Sequence, residues 1–187
     1  MRILAGKYKG KSLKTFSNSS VRPTCGVVKE AVFNICAAYI EDAVFLDLFA
    51  GVGSIGFEAL SRGASSVTFV DSSSQSVRLI RANCQLLDPH LPVTIMKQEA
   101  RSAVQKLSKK EMIFDLIYID PPYNLEDSYL KTVLESIVVG NLLDPQGLLF
   151  LENASAQPIL VDGLTMKHRR KLGGTFLSEY FFENSSN

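Results

Sequence analysis

From residue 43 onward the apolar positions alternate between short continuous runs and helical stripes. Val44-Phe-Leu-Asp-Leu48 reads as a buried strand, and 54–61 as a helix ended by Gly63. Residues 67–70 form the next apolar run, and the serines at 72–74 offer a cap for a helix whose Val77, Ile80, Cys84 and Leu87 share one face. Runs at 93–96, 114–119 and 148–151 predict three more strands. Between them, helices are expected over 101–108 and along the stripe Leu130, Val133, Leu134, Ile137, Val138. The rhythm then changes, and 165–172 and 175–182 flank Gly173-Gly174 as an antiparallel hairpin. Successive strand–helix units build a parallel sheet with right-handed crossovers. The expectation is an α/β protein, a seven-stranded and mostly parallel doubly wound sheet finished by an antiparallel pair.

Ahead of the sheet, 2–5 and 11–14 read as strands of a small β-hairpin punctuated by Gly6 and Gly10. The polar stretch Ser17-Asn-Ser-Ser20 marks a boundary, giving an N-terminal extension over 1–20 and a main domain over 21–187. Arg22-Pro-Thr24 reads as a helix start with Thr24 as N-cap, and Val28, Val32, Ile35 and Tyr39 as its apolar face. With 187 residues, 46% hydrophobic and 21% charged, the chain has the profile of one globular domain, which excludes a mainly disordered or collagen-like protein. No uncharged apolar stretch approaches the ~18 residues of a membrane span, and no apolar segment follows the basic N-terminus as in a signal peptide. Cys25, Cys36 and Cys84 lack metal-ligand spacing and read as reduced thiols of a cytoplasmic protein.

The net charge is only +1, yet residues 1–29 hold Arg2, Lys7, Lys9, Lys11, Lys14, Arg22 and Lys29 with no acid. A second basic cluster, Lys167-His168-Arg169-Arg170-Lys171, lies near the C-terminus. Two concentrated positive patches on a nearly neutral chain suggest a localised polyanion contact.

Two motifs carry chemistry. Asp47-Leu-Phe49-Ala-Gly51-Val-Gly53-Ser-Ile-Gly56 follows the first strand and opens a helix, where glycines let backbone N–H groups approach a ligand. Asp71 ends the second strand, where a carboxylate can accept both hydroxyls of a ribose. Taken literally this is the dinucleotide fingerprint, and spacing alone leaves a nicotinamide cofactor open. The second motif, Asp120-Pro121-Pro122-Tyr123, stands at the carboxyl end of the fourth strand, where open α/β sheets bind ligands. Prolines fix φ and aim backbone carbonyls. An acid beside an aimed carbonyl suits an NH2 group, and an adjacent ring can stack on a flat base.

Asp-Pro-Pro-Tyr with the Asp-x-Phe-x-Gly-x-Gly loop resembles S-adenosylmethionine-dependent amino-methyltransferases of nucleic-acid bases. Arg2-Ile-Leu-Ala-Gly-Lys-Tyr-Lys-Gly-Lys-Ser-Leu, Arg22-Pro-Thr, Lys29-Glu-Ala-Val-Phe-Asn34 and Phe57-Glu-Ala-Leu-Ser-Arg-Gly-Ala64 are similar to the RsmD type, the 16S ribosomal RNA guanine-N2 methyltransferases. The resemblance covers nearly the whole chain, more weakly over 86–112 and 153–165. It implies a Rossmann-like class I methyltransferase fold, S-adenosylmethionine as methyl donor with S-adenosylhomocysteine as product, and no metal. It implies Asp47, Phe49, Gly51 and Gly53 around the cofactor's methionine end, Asp71 on the ribose and Ser72 beside the adenine. Glu99 replaces the family's Asp near the adenine amine, so that Ala100 would offer its backbone instead. Arg22 and Thr24 fall beside the active site, and Cys25-Gly-Val27 replaces a polar stretch ending in Arg. Catalysis falls to Asp120, Pro121, Pro122 and Tyr123. Phosphate contacts fall to Lys7, Lys9, Lys11, Arg169 and Arg170. The partner is 16S ribosomal RNA, within a small-subunit assembly particle, met by a monomer.

Rival readings are an adenine-N6 or other nucleic-acid methyltransferase, a nicotinamide-dependent oxidoreductase, and a non-catalytic ribosome-assembly factor on the same fold. His90 reads as surface and Tyr118 as core, while Glu152 ends the fifth strand at the ligand edge and reads either as a pocket-lining group or, preferred, as a solvated strand-end carboxylate.

Overall fold

The computed structural model describes residues 1–16 and 23–183, and of 23–25 only the backbone. The expected boundary at 17–20 and the Arg22 side chain lie outside the described residues. In chain order the elements are α1 (Pro23–Ile35), β1 (Val44–Leu48), α2 (Ser54–Ser61), β2 (Ser66–Asp71), α3 (Ser74–Leu87), β3 (Val93–Lys97), α4 (Ala100–Ser108), β4 (Phe114–Ile119), α5 (Asp127–Val139), β5 (Leu143–Asn153), β6 (Leu164–Leu172) and β7 (Thr175–Phe182). They form one seven-stranded sheet in the order β3-β2-β1-β4-β5-β7-β6. The first five strands pair in parallel, and β7 and β6 close one edge antiparallel. The order turns outward in both directions from β1 and β4, so their carboxyl ends flank the switch point where ligands bind.

The apolar runs are strands because both faces of the sheet are covered. Phe45, Phe69, Tyr118 and Phe150 face a core layer with Val32 of α1, Phe57 of α2 and Ile80 of α3. Leu46, Ile117 and Leu149 alternate onto the other face, against Val104 of α4 and Leu134 of α5. Ser73 caps α3, its hydroxyl accepting the N–H groups of Gln75 and Ser76.

The expected N-terminal hairpin is reduced to one bridge, Arg2 with Ser12. Its backbone donors go elsewhere: Leu4 and Ala5 donate to the Glu58 carboxylate at 2.8 and 3.0 Å, and Lys7 donates to the Ser61 carbonyl that ends α2. Gly6 makes that approach possible, because a Cβ there would stand 1.6 Å from the Ser61 carbonyl oxygen. Ile3, Tyr8 and Leu13 join the same core layer as α1. Glu58, fully buried, also accepts from Arg62 at 2.8 Å and pairs with Lys29 at 3.2 Å. Lys29 therefore belongs to the interior and not to the N-terminal basic patch.

Three further expectations shift. Helix α1 begins at Pro23, a residue suited to the first helical position, so Thr24 sits inside the first turn and is not the cap. The helix ends at Ile35, which leaves Tyr39 half exposed while Phe33 and Cys36 fill the core. Strand β5 starts at Leu143, five residues ahead of Leu148. Pro145 and Gly147 give that stretch a turn-like composition, yet Leu143 pairs with Phe114 ahead of a register shift.

Candidate active site

The glycine loop is shaped by two carboxylates. Asp47, 2% exposed, accepts the Gly56 N–H at 3.0 Å. Burial pushes its carboxyl up to about 7, opposed by that N–H and reinforced by the charge of Asp71. Asp71 accepts the Gly51 N–H through one oxygen and the Ser73 N–H through the other, both at 2.8 Å. Phe49, Gly51 and Gly53 all take positive φ, of 59°, 56° and 80°. For Phe49 this is a strained conformation of the kind that clusters at functional loops. A Cβ on Gly56 would lie 2.2 Å from the Phe69 ring and one on Gly53 2.7 Å from Phe57, whereas a Cβ on Gly51 would meet nothing within 4 Å. Gly53 and Gly56 thus permit packing, and Gly51 keeps the outer side of the loop open.

Across the switch point, the chain leaves β4 through Asp120-Pro-Pro-Tyr123. Pro121 is buried, while Asp120, Pro122 and Tyr123 stand exposed, Tyr123 by 57%. The glycine loop and this corner face one cleft of about 630 Å³, lined by Phe49, Asp71, Ser72 and Glu99 on one side and by Asp120 to Tyr123 on the other. That volume falls within the roughly 300–1,000 Å³ usual for small-molecule sites. Glu99 is occupied as the N-cap of α4, accepting the N–H groups of Arg101 and Ser102 at 2.9 and 3.0 Å, and Ala100 behind it is buried. Asp47 lies beneath the loop, holding its turn.

The corner also walls a second cavity of about 260 Å³, bounded further by Leu125, Glu152, Asn153 and Thr175. Glu152 takes the less favoured of its two expected places, facing this cavity and not solvent, and accepts the Tyr118 hydroxyl at 2.6 Å. Tyr118 is core, as expected, but burial and the charges of Asp120 and Glu152 raise its phenol well above the usual range. The overlooked signal was the alignment of two strand ends: Ile119 pairs with Leu151, so the acids that follow them stand side by side.

The basic residues separate into two kinds. Lys7, Lys9 and Lys11 are exposed. Arg169 instead donates to Ser178 at 2.9 Å and to the Ser155 carbonyl, and stacks over Phe176. Arg170, on the other face of β6, pairs with the buried Glu179 at 3.2 Å. His90 is exposed in its loop. No group of three or more potential metal ligands occurs among the described residues.

Known structures of this architecture define the class. A protein from Escherichia coli described as "Putative methyltransferase yhhF" has a TM-score of 0.86 at 25% identity, over 98% of both chains. The chain is thus a methyltransferase with a Rossmann-like fold. More narrowly, it belongs to the family described as conserved hypothetical protein 95, the RsmD family, whose profile matches residues 1–181. It is 34% identical to "Putative rRNA methyltransferase YlbH" of Bacillus subtilis, over 96% of this chain and 98% of that one. It is 32% identical to Ribosomal RNA small subunit methyltransferase D of Haemophilus influenzae, over 86% of this chain and 82% of that one.

Proposed function

We propose that the protein transfers a methyl group from S-adenosylmethionine to the exocyclic N2 of a guanine in 16S, small-subunit ribosomal RNA. The observation that carries this reading is the position of Asp120 to Tyr123 as a common wall between two cavities, one bounded by the glycine loop and one by the ends of β5 and β7. The names of the relatives support ribosomal RNA as the substrate class.

The larger cleft fits the cofactor. Asp71 offers acceptor capacity beyond its two backbone bonds for ribose hydroxyls, and Gly51 leaves room beside the loop. Phe49, Gly53, Ser72 and the Glu99–Ala100 helix start complete the holding residues, with Arg22 and Thr24 assigned there by resemblance. Bound in that cleft, S-adenosylmethionine supplies an electrophilic methyl on a sulfonium, whose C–S electron pair leaves with S-adenosylhomocysteine.

Guanine N2 delocalises its lone pair into the ring and is a weak nucleophile. Asp120 and the Pro121 carbonyl accept its two hydrogens, which stabilises the charge that develops on nitrogen and aims the lone pair. Tyr123 holds the base by stacking. The methylated nitrogen then releases a proton to water, so Asp120 need not be a strong base. Because a paired base cannot reach such a corner, the target is unpaired or flipped out. Lys7, Lys9 and Lys11 contact phosphates, which position the RNA without reading its sequence. Arg169 and Arg170, already engaged within the protein, add mainly positive potential. The protein acts as a cytoplasmic monomer on an assembly particle.

Incubation with labelled cofactor and small subunits lacking the modification, followed by mass mapping, tests the reading. A single methyl on guanine N2 is expected. Label on adenine N6, or stabilisation by NADH but not by S-adenosylhomocysteine, overturns it.

A further inference from the structure

Besides Asp120 the smaller cavity is lined by two carboxylates that the transfer chemistry does not use, Asp127, which accepts the Asn153 amide at 3.4 Å, and Glu152. Glu152 and Asp120 each follow a residue of the Ile119–Leu151 pair, so they leave neighbouring parallel strands at the same level. Strand alternation puts both on the sheet face that carries Tyr118 and Phe150. The spacing between their strands is about 4.8 Å. Both line the cavity of about 260 Å³. The Tyr118 phenol, on a ring only 2% exposed, donates to Glu152 Oε2 at 2.6 Å and holds the carboxylate from the core side. A carboxylate that takes one hydroxyl retains lone pairs for a ligand donor. Burial raises the Glu152 carboxyl, opposed by the hydrogen bond from Tyr118, which marks it as a group set into the protein and not one trailing in solvent.

On the edge of guanine the N2 amine and the N1–H are adjacent donors. In adenine the ring nitrogen beside the amine is instead a lone pair. With Asp120 answering the amine as proposed above, an acceptor about one strand spacing away is within reach of the neighbouring ring position. We propose that Glu152 accepts the N1–H of the target base and is the residue that selects guanine, an inference that rests on the guanine-N2 reading above. A base with a lone pair at that position faces an acceptor held in place by Tyr118, and neither group can satisfy the other. Sites built around a substrate N–H reject analogues lacking it far more strongly than apolar pockets reject a missing methylene.

The probe is 2-aminopurine, which keeps the C2 amine but carries a lone pair at N1. Ribosomal RNA with guanine or 2-aminopurine at the mapped position is prepared in the RNA form that accepts label from the wild type. The wild type is expected to prefer guanine in kcat/KM by about 10²-fold. Glu152→Gln, whose amide offers an N–H, is expected to narrow that preference at least about tenfold, with binding of S-adenosylhomocysteine and thermal unfolding unchanged. Tyr118→Phe, which releases the carboxylate without removing it, is expected to narrow the preference to a smaller degree. Equal use of the two bases by the wild type, or a wild-type preference retained in Glu152→Gln, overturns the inference. Should Glu152→Gln fail to fold, an undiminished preference in Tyr118→Phe overturns it equally. If the wild type places no methyl on guanine N2, it is the underlying reading that fails.

Discussion

At the glycine loop the carboxylates turn inward to the protein's own backbone, whereas at the diproline corner they stand over open cavities. Asp47 holds Gly56, and Asp71 holds Gly51 and Ser73, so folding itself sets the loop's shape. Across the cleft, Asp120 and Tyr123 are exposed and Glu152 is steadied by a phenol. One wall is tied to its own backbone amides, and the other, on the reading proposed above, presents side chains to the reacting base. The difference teaches where substitutions should separate binding from chemistry.

The largest expected effect is at the corner. Asp120→Ala should lower transfer by about 10²–10³-fold while leaving S-adenosylhomocysteine affinity unchanged, measured by single-turnover kinetics and calorimetry. A variant that loses cofactor binding instead would erase the division between the walls. Asp71→Ala should act in reverse, weakening cofactor binding by roughly 10–10²-fold through loss of charged hydrogen bonds of about 1.5–3 kcal/mol, with transfer recovering at saturating cofactor. Tyr123→Ala should cost about 1–3 kcal/mol, seen as a raised KM for RNA. Asp47→Asn sharpens the comparison from the buried side. With its folded-state carboxyl at about 7, the native protein holds a proton between about pH 4 and 7 that the unfolded chain has released. Stability therefore falls as pH rises through that window, by ~1.4 kcal/mol per unit, and levels off above it. The Asn variant should lack that contribution in urea titrations, and an unchanged slope would mean that Asp47 is ionised throughout.

Much of this arrangement was legible in one dimension. Parallel strands covered on both faces read as unbroken apolar runs, so β1 and β4 were expected with the bounds they have, and the two motifs fell at strand ends that topology brings to one cleft. Pairing partners across the sequence were harder to see. The N-terminal segment has strand-like composition, but its donors go to Glu58, 53 and 54 residues away. Lys29 looks like one more solvated cation until the acid within the apolar run Phe57-Glu58-Ala59 is seen to require a partner. Arg169 and Arg170 look alike in sequence, yet they occupy opposite faces of β6 and answer to different residues. Glu152 was visible at the ligand edge, but its place beside Asp120 was not, because only the β4–β5 register sets it there.

The knot around Glu58 bears on how inactive alleles of this gene are to be interpreted. Two cations and two backbone amides converge on one carboxylate sealed from water. Replacing it strands charge in the interior, which is among the costliest single lesions a domain can suffer. Undermethylated RNA in a cell carrying such an allele would report scarcity of enzyme, cleared by quality-control proteases, and tell nothing about catalysis.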